Sequence, residues 1–544
     1  MKTFSAVPAL CLVAGVSVLI LGWWWFDDSG DYIAVPYVRP LTNYATLQWE
    51  PRPVEWPDPD DAGTGHPGRQ LAGVHCVRCH SLPEPRQLPR ETWPWVLTWM
   101  SNYLGFTNTY LPFGNNVEAA LMPPKPLVSE QAFQSLAEYY LLYSPEAKDL
   151  APNPGTSQAP TDRFRARVPS PKIPKGELVT SVHWDAAQER FFIGRGTHRT
   201  LQLYGRDGTL LLNQSLASEP VDLMVRSNGF RLTIMGDFME NQKGGQVIDF
   251  TEKASGSWHS TIVADQFDRL TESHTHDLDG DGADDLLLIG FGAGSLGRVE
   301  IRWQGQEELG AERTTLLAYA GALNAQIRDF DRDGRQDVMV LTSQSRQELL
   351  LFRNQGSREF ERRVIHQEFA GYGYNHLSLG DFDRDGWEDL LLVNGNNMEI
   401  KDAPLKPYHG IRILRNNRDL TFAQSYFYPM YGALKAVAHD FDQDDDLDIA
   451  AIAFYPNWAV ETPETFVFLE NMGNNTFQPG GLSSDASGRW ICMELGDPNA
   501  DGWMDLLLGG GYIDQGVQSS FREPYRRWAR QRPSFVVLEN RGGD

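Results

Sequence analysis

Cysteine is scarce in this chain of 544 residues: only Cys11, Cys76, Cys79 and Cys492 occur. That is too few for a disulfide framework, and Cys76 and Cys79 have no second pair with which to complete a four-cysteine zinc site. A surplus of basic residues is also missing. The formal net charge of −24 repels a phosphate backbone, which excludes nucleic acid as a partner. No glycine-rich nucleotide-binding motif is evident either, so a dinucleotide finds no phosphate cradle.

The length calls for one small and one large domain. Ala6 to Phe26 is an uncharged apolar run ending in Trp23, Trp24 and Trp25 and followed by Asp27, Asp28 and Asp31. It is long enough for a transmembrane helix, and longer than the apolar stretch of a cleaved signal. Residues 1–30 are therefore expected to be a membrane anchor or signal. With Lys2 before the run and acids after it, the body faces the periplasm or cell exterior. Residues 31–64, rich in proline, tryptophan and acids, read as a tether, and 65–144 as a compact helical unit. Its last helix starts near Ser129 and shows Phe133, Leu136, Ala137, Tyr140 and Leu141 at helical spacing. Residues 145–174 are proline-rich and read as a linker, and 175–544 turn to short β runs.

The β region is periodic. DLDGDGADD, DFDRDGRQD, DFDRDGWED, DFDQDDDLD and DPNADGWMD begin at Asp277, Asp329, Asp381, Asp440 and Asp497, spaced by 52, 52, 59 and 57 residues. A period near 50 with several strands per unit means propeller blades. These five units and two degraded ones upstream give an all-β propeller of seven blades. Positions 1, 3, 5 and 9 of each nonapeptide carry oxygen ligands. They are Asp277, Asp279, Asp281 and Asp285; Asp329, Asp331, Asp333 and Asp337; Asp381, Asp383, Asp385 and Asp389; Asp440, Asp442, Asp444 and Asp448; Asp497, Asn499, Asp501 and Asp505. Converging hard oxygens suit Ca²⁺, up to five ions, the alternative being acidic Asx turns without metal. An EF-hand is excluded, because its bidentate Glu at position 12 is replaced by Leu288, Val340, Leu392, Ala451 and Leu508. Over 175–544 the chain resembles the FG-GAP or VCBS repeats of calcium-binding β-propellers. Asp445 in place of glycine and Asn499 at position 3 set the fourth and fifth loops apart.

Cys76-Val77-Arg78-Cys79-His80 is a CxxCH sequence. At this spacing two thiols can form thioethers with haem vinyl groups while the histidine reaches the iron; a zinc half-site or redox pair is the alternative. With Met122-Pro123-Pro124 ahead of the last helix, residues 65–144 resemble a monohaem class I cytochrome c, a small all-α domain. The resemblance implies one covalent haem c held by Cys76, Cys79 and His80, with Met122 as the distal ligand and Met100 as its rival. His/Met ligation fills both axial positions and favours electron transfer over oxygen chemistry.

Long insertions at Asn394–Gly410, Tyr455–Thr465 and Gly509–Ser534 fall at one rim of the propeller, away from the Asp loops. They hold Tyr408, His409, Tyr455, Trp458, Tyr512, Tyr525 and Trp528. Arg522, Arg526, Arg527, Arg530 and Arg532 cluster there, either as a solvated face or as a dock for an acidic partner, an anionic lipid surface or a polyanionic ligand. The sequence thus describes an exported, membrane-anchored electron-transfer cytochrome whose propeller docks a redox partner or assembles a membrane complex. Two alternatives stand beside it. One is an oxidoreductase passing electrons from a substrate to its own haem, the other an adhesion or scaffold protein.

Overall fold

In the second strand of each Asp-loop unit, apolar residues point to both faces: Leu286, Leu287, Leu288 and Ile289 are all fully buried, as are Leu390, Leu391 and Val393. A strand apolar on both sides has to lie between two layers, and it does. The computed structural model describes residues 32–41, 44–53, 56–58, 61–78, 80–106, 122–150, 159–169, 173–236, 243–293, 296–305, 309–344, 346–397, 402–483 and 487–542. Among them are seven four-stranded antiparallel sheets, and the seven sheets are the blades of a β-propeller. Their inner strands are Val179–Asp185, Pro220–Arg226, Leu270–His276, Ala322–Arg328, Tyr374–Gly380, Ala433–His439 and Trp490–Gly496, in blades 1 to 7. Each inner strand packs on its neighbours, and Trp490–Gly496 on Val179–Asp185 completes the circle. Seven apolar clusters fill the seams, one per pair of adjacent blades.

Ring closure corrects the reading of 145–174 as a linker. Blade 7 takes three strands from the end of the chain and its fourth, Phe164–Arg167, from the proline-rich stretch, with Phe164 opposite Asn540 and Arg167 opposite Val537. Pairing removes the exposed edge that three strands would leave. Phe164 anchors the strand edge-on against Phe441, Phe466 and Phe468, with centroids 5.4, 6.2 and 5.2 Å away.

The chain divides into two compact units, 1–75 with 84–110 and 122–149, and 76–83 with 111–121 and 150–544. The first holds helices α1 (Pro67–His75), α2 (Trp93–Tyr103) and α3 (Glu130–Tyr143). Ser129 caps α3, its Oγ accepting from the Ala132 N–H at 3.2 Å. A Cβ on Gly68 would stand 2.2 Å from the Ser135 carbonyl oxygen, so α1 and α3 touch backbone to backbone. Residues 31–64, read as a tether, contain an antiparallel hairpin of Tyr32–Leu41 with Tyr44–Pro53. A second boundary also moves. Cys76–Pro83, placed with the helical unit on sequence, groups with the propeller, where the backbone of Ser81 bridges Phe369. The expected anchor at 1–30 lies outside the described residues. Among the described residues no helix is long and apolar enough to cross a membrane.

Candidate metal and haem sites

Each Asp loop joins the inner strand of its blade to the next strand, in blades 3 to 7. Position 1 folds the loop around its own carboxylate: Asp329 Oδ1 accepts from the Asp333 N–H at 3.0 Å and Oδ2 from the Gly334 N–H at 2.9 Å. Asp277, Asp381, Asp440 and Asp497 repeat the pattern. Ligand oxygens of Asp277, Asp279 and Asp285 lie within 4.8 Å of one another, as do those of Asp329, Asp331 and Asp333, of Asp381, Asp383 and Asp385, and of Asp440, Asp442 and Asp444. These four groups could hold a cation.

Position 9 plays a second role. Asp337 Oδ1 accepts from the Asn354 N–H at 2.7 Å and Oδ2 from the Phe330 N–H at 3.2 Å, tying the loop to the third strand. Asp285, Asp389 and Asp448 do the same. In the fifth loop Pro498 occupies the place of Phe330 and has no N–H to give. Asp505 keeps its bond from the Asn540 N–H at 2.7 Å, but its Oδ2 is buried without a partner. Burial first, then neighbouring carboxylates, push Asp337 and Asp389 up to about 6 and Asp448 and Asp505 up to about 7.

The charge around the loops varies by blade. Arg353 reaches Asp331 and Asp333, Arg415 reaches Asp383, and Arg418 meets Asp385 at 2.7 Å. Arg358, from the outer hairpin of blade 4, reaches back to Asp279 in blade 3 at 2.7 Å. Where blades 4 and 5 have Arg353 and Arg415, blades 6 and 7 carry Glu470 and Glu539. The sequence reading also passed over the asparagines that follow these four positions. Asn354, Asn416, Asn471 and Asn540 close each loop through the backbone, and Asn354 and Asn540 also bond back to Leu278 and Phe441 of the preceding blade. Their recurrence in the RN and EN endings of the third strands is the signal that would have found them.

In the CxxCH segment, Cys76 opens a 3₁₀ turn, Cys76–Arg78, that continues α1. Cys79 lies outside the described residues. His80 Nδ1 is 2.8 Å from the Ser81 carbonyl oxygen, so it carries the proton and leaves the Nε2 lone pair for a metal. Burial lowers the basicity of His80, against a smaller opposing effect of that bond, and favours the neutral imidazole that ligation requires. Met100, in α2, and Met122 are partly buried and belong to the first unit, His80 to the second.

At the opposite rim the three long insertions are joined. Trp458 packs on Tyr525 and Trp528 at 5.0 and 5.5 Å, and Ser519 N–H donates to Asp402 at 2.6 Å. The second and third insertions meet at Arg489, a fully buried residue the sequence reading missed. It donates to the carbonyls of Phe454 at 2.8 Å and Gln515 at 2.6 Å and to the Tyr525 hydroxyl at 3.1 Å. The Arg cluster is only partly free. In helix α4 (Arg522–Ala529) Arg526 pairs with Asp514 and Glu523, while Arg522, Arg527 and Arg530 are exposed. Tyr408 stacks on Tyr372 and is partly buried, and His409 is fully buried and offers no surface.

Seven blades in a closed ring, with the same acidic loop in five, define the class: a β-propeller built of repeats. The FG-GAP-like repeat family model matches residues 277–340 and 329–392, so the chain carries FG-GAP-like repeats. No curated protein matches. Among solved structures, one from S. cerevisiae, of a substituted Dbp5 bound to Nup159, a substituted Gle1, IP6 and ADP, is similar at 9% identity with a TM-score of 0.41; the match covers 70% of this chain and 96% of that one.

Proposed function

We propose that this protein is an exported, membrane-anchored c-type cytochrome whose calcium-stabilised propeller docks a redox partner. The observation that carries the haem reading is the bond from His80 Nδ1 to the Ser81 carbonyl, within a CxxCH sequence, which orients the second ring nitrogen as a ligand. Cys76 and Cys79 would hold the haem and His80 would be its proximal ligand, with Met122 before α3 as the candidate distal ligand. When bound, a haem with both axial positions filled supplies one-electron transfer. The chain's own residues fix the His80 tautomer, keep its imidazole neutral and set the ligand on a short bonded turn. The Asp loops support the calcium reading through four convergent carboxylate groups and the buried Asp505 oxygen.

For the propeller, an FG-GAP fold is consistent with docking or scaffolding, and the joined insertions of blades 5 to 7 favour the rim away from the Asp loops as the docking face. Purified from a host that matures c-type cytochromes, the protein should show a reduced low-spin spectrum. Met122→Ala should remove the methionine–iron signature and lower the potential, while Met100→Ala should alter stability only. The reverse pattern would pass the ligand role to Met100, and a colourless, zinc-loaded product would overturn the haem reading.

A further inference from the structure

All seven inner strands break register with the second strand at the same place, just after their first residue. The residue that follows this bulge is polar or ionisable in every blade. It faces the axis: His376 in blade 5 feels the charge of Glu272, two blades away, and Asp222 in blade 2 that of Glu494 in blade 7.

In blades 2, 3 and 4 this residue latches the next blade. Asp222 accepts from the Ser273 N–H at 3.0 Å, Glu272 from the Ala325 N–H at 3.1 Å, and Asn324 from the Leu377 N–H at 3.1 Å. Ala436 and Met493 hold the same register position in blades 6 and 7, opposite Ala451 and Leu508. The side chains that precede them around the ring are His376 and Lys435. Lysine has only donors to offer, so the acceptor present at the three other seams is replaced by a cation. Among the described residues Lys435 makes no hydrogen bond or ion pair, and His376 Nδ1 is buried without a partner. Four donors therefore gather on one side of the axis: the Lys435 ammonium, the His376 ring and the inward N–H groups of Ala436 and Met493. A bound anion would give these donors an acceptor, and the charge of the partly exposed Lys435 ammonium would favour it.

We propose that this side of the axis, centred on Lys435, binds a small monocarboxylate, which supplies the acceptors that Asp222, Glu272 and Asn324 provide at the other seams. One negative charge is favoured over two, because Asp222 and Glu272 stand across the axis and Glu494 lies next to Met493 in blade 7. Isothermal titration of the calcium-loaded full chain with sodium acetate at neutral pH should show one saturable site. Loss of a charge-assisted bond in Lys435→Gln should weaken it roughly tenfold or more, with the melting temperature little changed. If that variant does not fold, His376→Leu is read in its place and should weaken binding in the same sense. Absence of saturable acetate binding to the folded wild type, or unchanged affinity in the folded variant, would overturn the proposal.

Discussion

Single residues decide how each acidic loop behaves without metal. Asp337, Asp389, Asp448 and Asp505 bind protons more tightly folded than unfolded, because burial and their neighbours oppose ionisation. The folded state then holds more protons than the unfolded state, so stability falls as pH rises from about 4 towards about 7. In calcium-free solution the propeller should melt higher at about pH 5 than at about pH 8, with the drop spread over that window. Scanning calorimetry would check it, and saturating calcium should flatten the dependence. Asp448 and Asp505 should contribute more per residue than Asp337 and Asp389, and at Asp505 Pro498 denies the carboxylate the N–H that Phe330, Phe382 and Phe441 supply to its counterparts. That difference was legible in the sequence as DPNADGWMD, but its consequence was not, because which N–H faces which carboxylate is set by the folded loop.

At the scale of elements, the acidic repeats announced five blades and the alternating apolar runs two more, because each strand's neighbours are local in sequence. The closing strand was hidden for the opposite reason. Phe164–Arg167 is four residues long, follows a proline-rich stretch, and pairs with residues more than 350 positions away, so nothing local marks it. Phe164→Ala empties the pocket between Phe441, Phe466 and Phe468 and loosens the ring where the two ends of the chain meet. It should cost about 3–5 kcal/mol, read by urea unfolding of the propeller. An outer strand of another blade offers the control: Val364→Ala, at an exposed position, should cost under about 0.5 kcal/mol. Arg489 was likewise illegible, since one arginine in a strand-leading segment gives no hint that two insertions converge on it.

For the whole molecule, the acidic loops concentrate like charge that a metal would neutralise. Crowded carboxylates repel by about a kcal/mol per close pair even in a wet site, and each bound ion adds about 2.7 kcal/mol at a hundredfold excess over its dissociation constant. Chelation should therefore lower the melting temperature of the propeller sharply. The loop of blade 7, whose Asp497, Asp501 and Asp505 pair with no base among the described residues, should respond more than those of blades 4, 5 and 6, where Arg353, Arg415 and Arg163 already balance charge. Asp501→Asn against Asp333→Asn, compared by the shift on adding calcium, separates the two kinds of loop. An equal response would refute the charge argument, and a propeller whose melting ignores chelation would make the loops ordinary acidic turns.

The central claim is that the segment preceding this propeller carries a covalent haem. Its most direct test is the mass of the tryptic peptides Gln70–Arg78 and Cys79–Arg86, from protein made in a host that matures c-type cytochromes. The account predicts the two peptides joined through one haem, attached to both Cys76 and Cys79, and no such adduct in the Cys76→Ala, Cys79→Ala double variant. Two separate peptides of unmodified mass from the same host would contradict it.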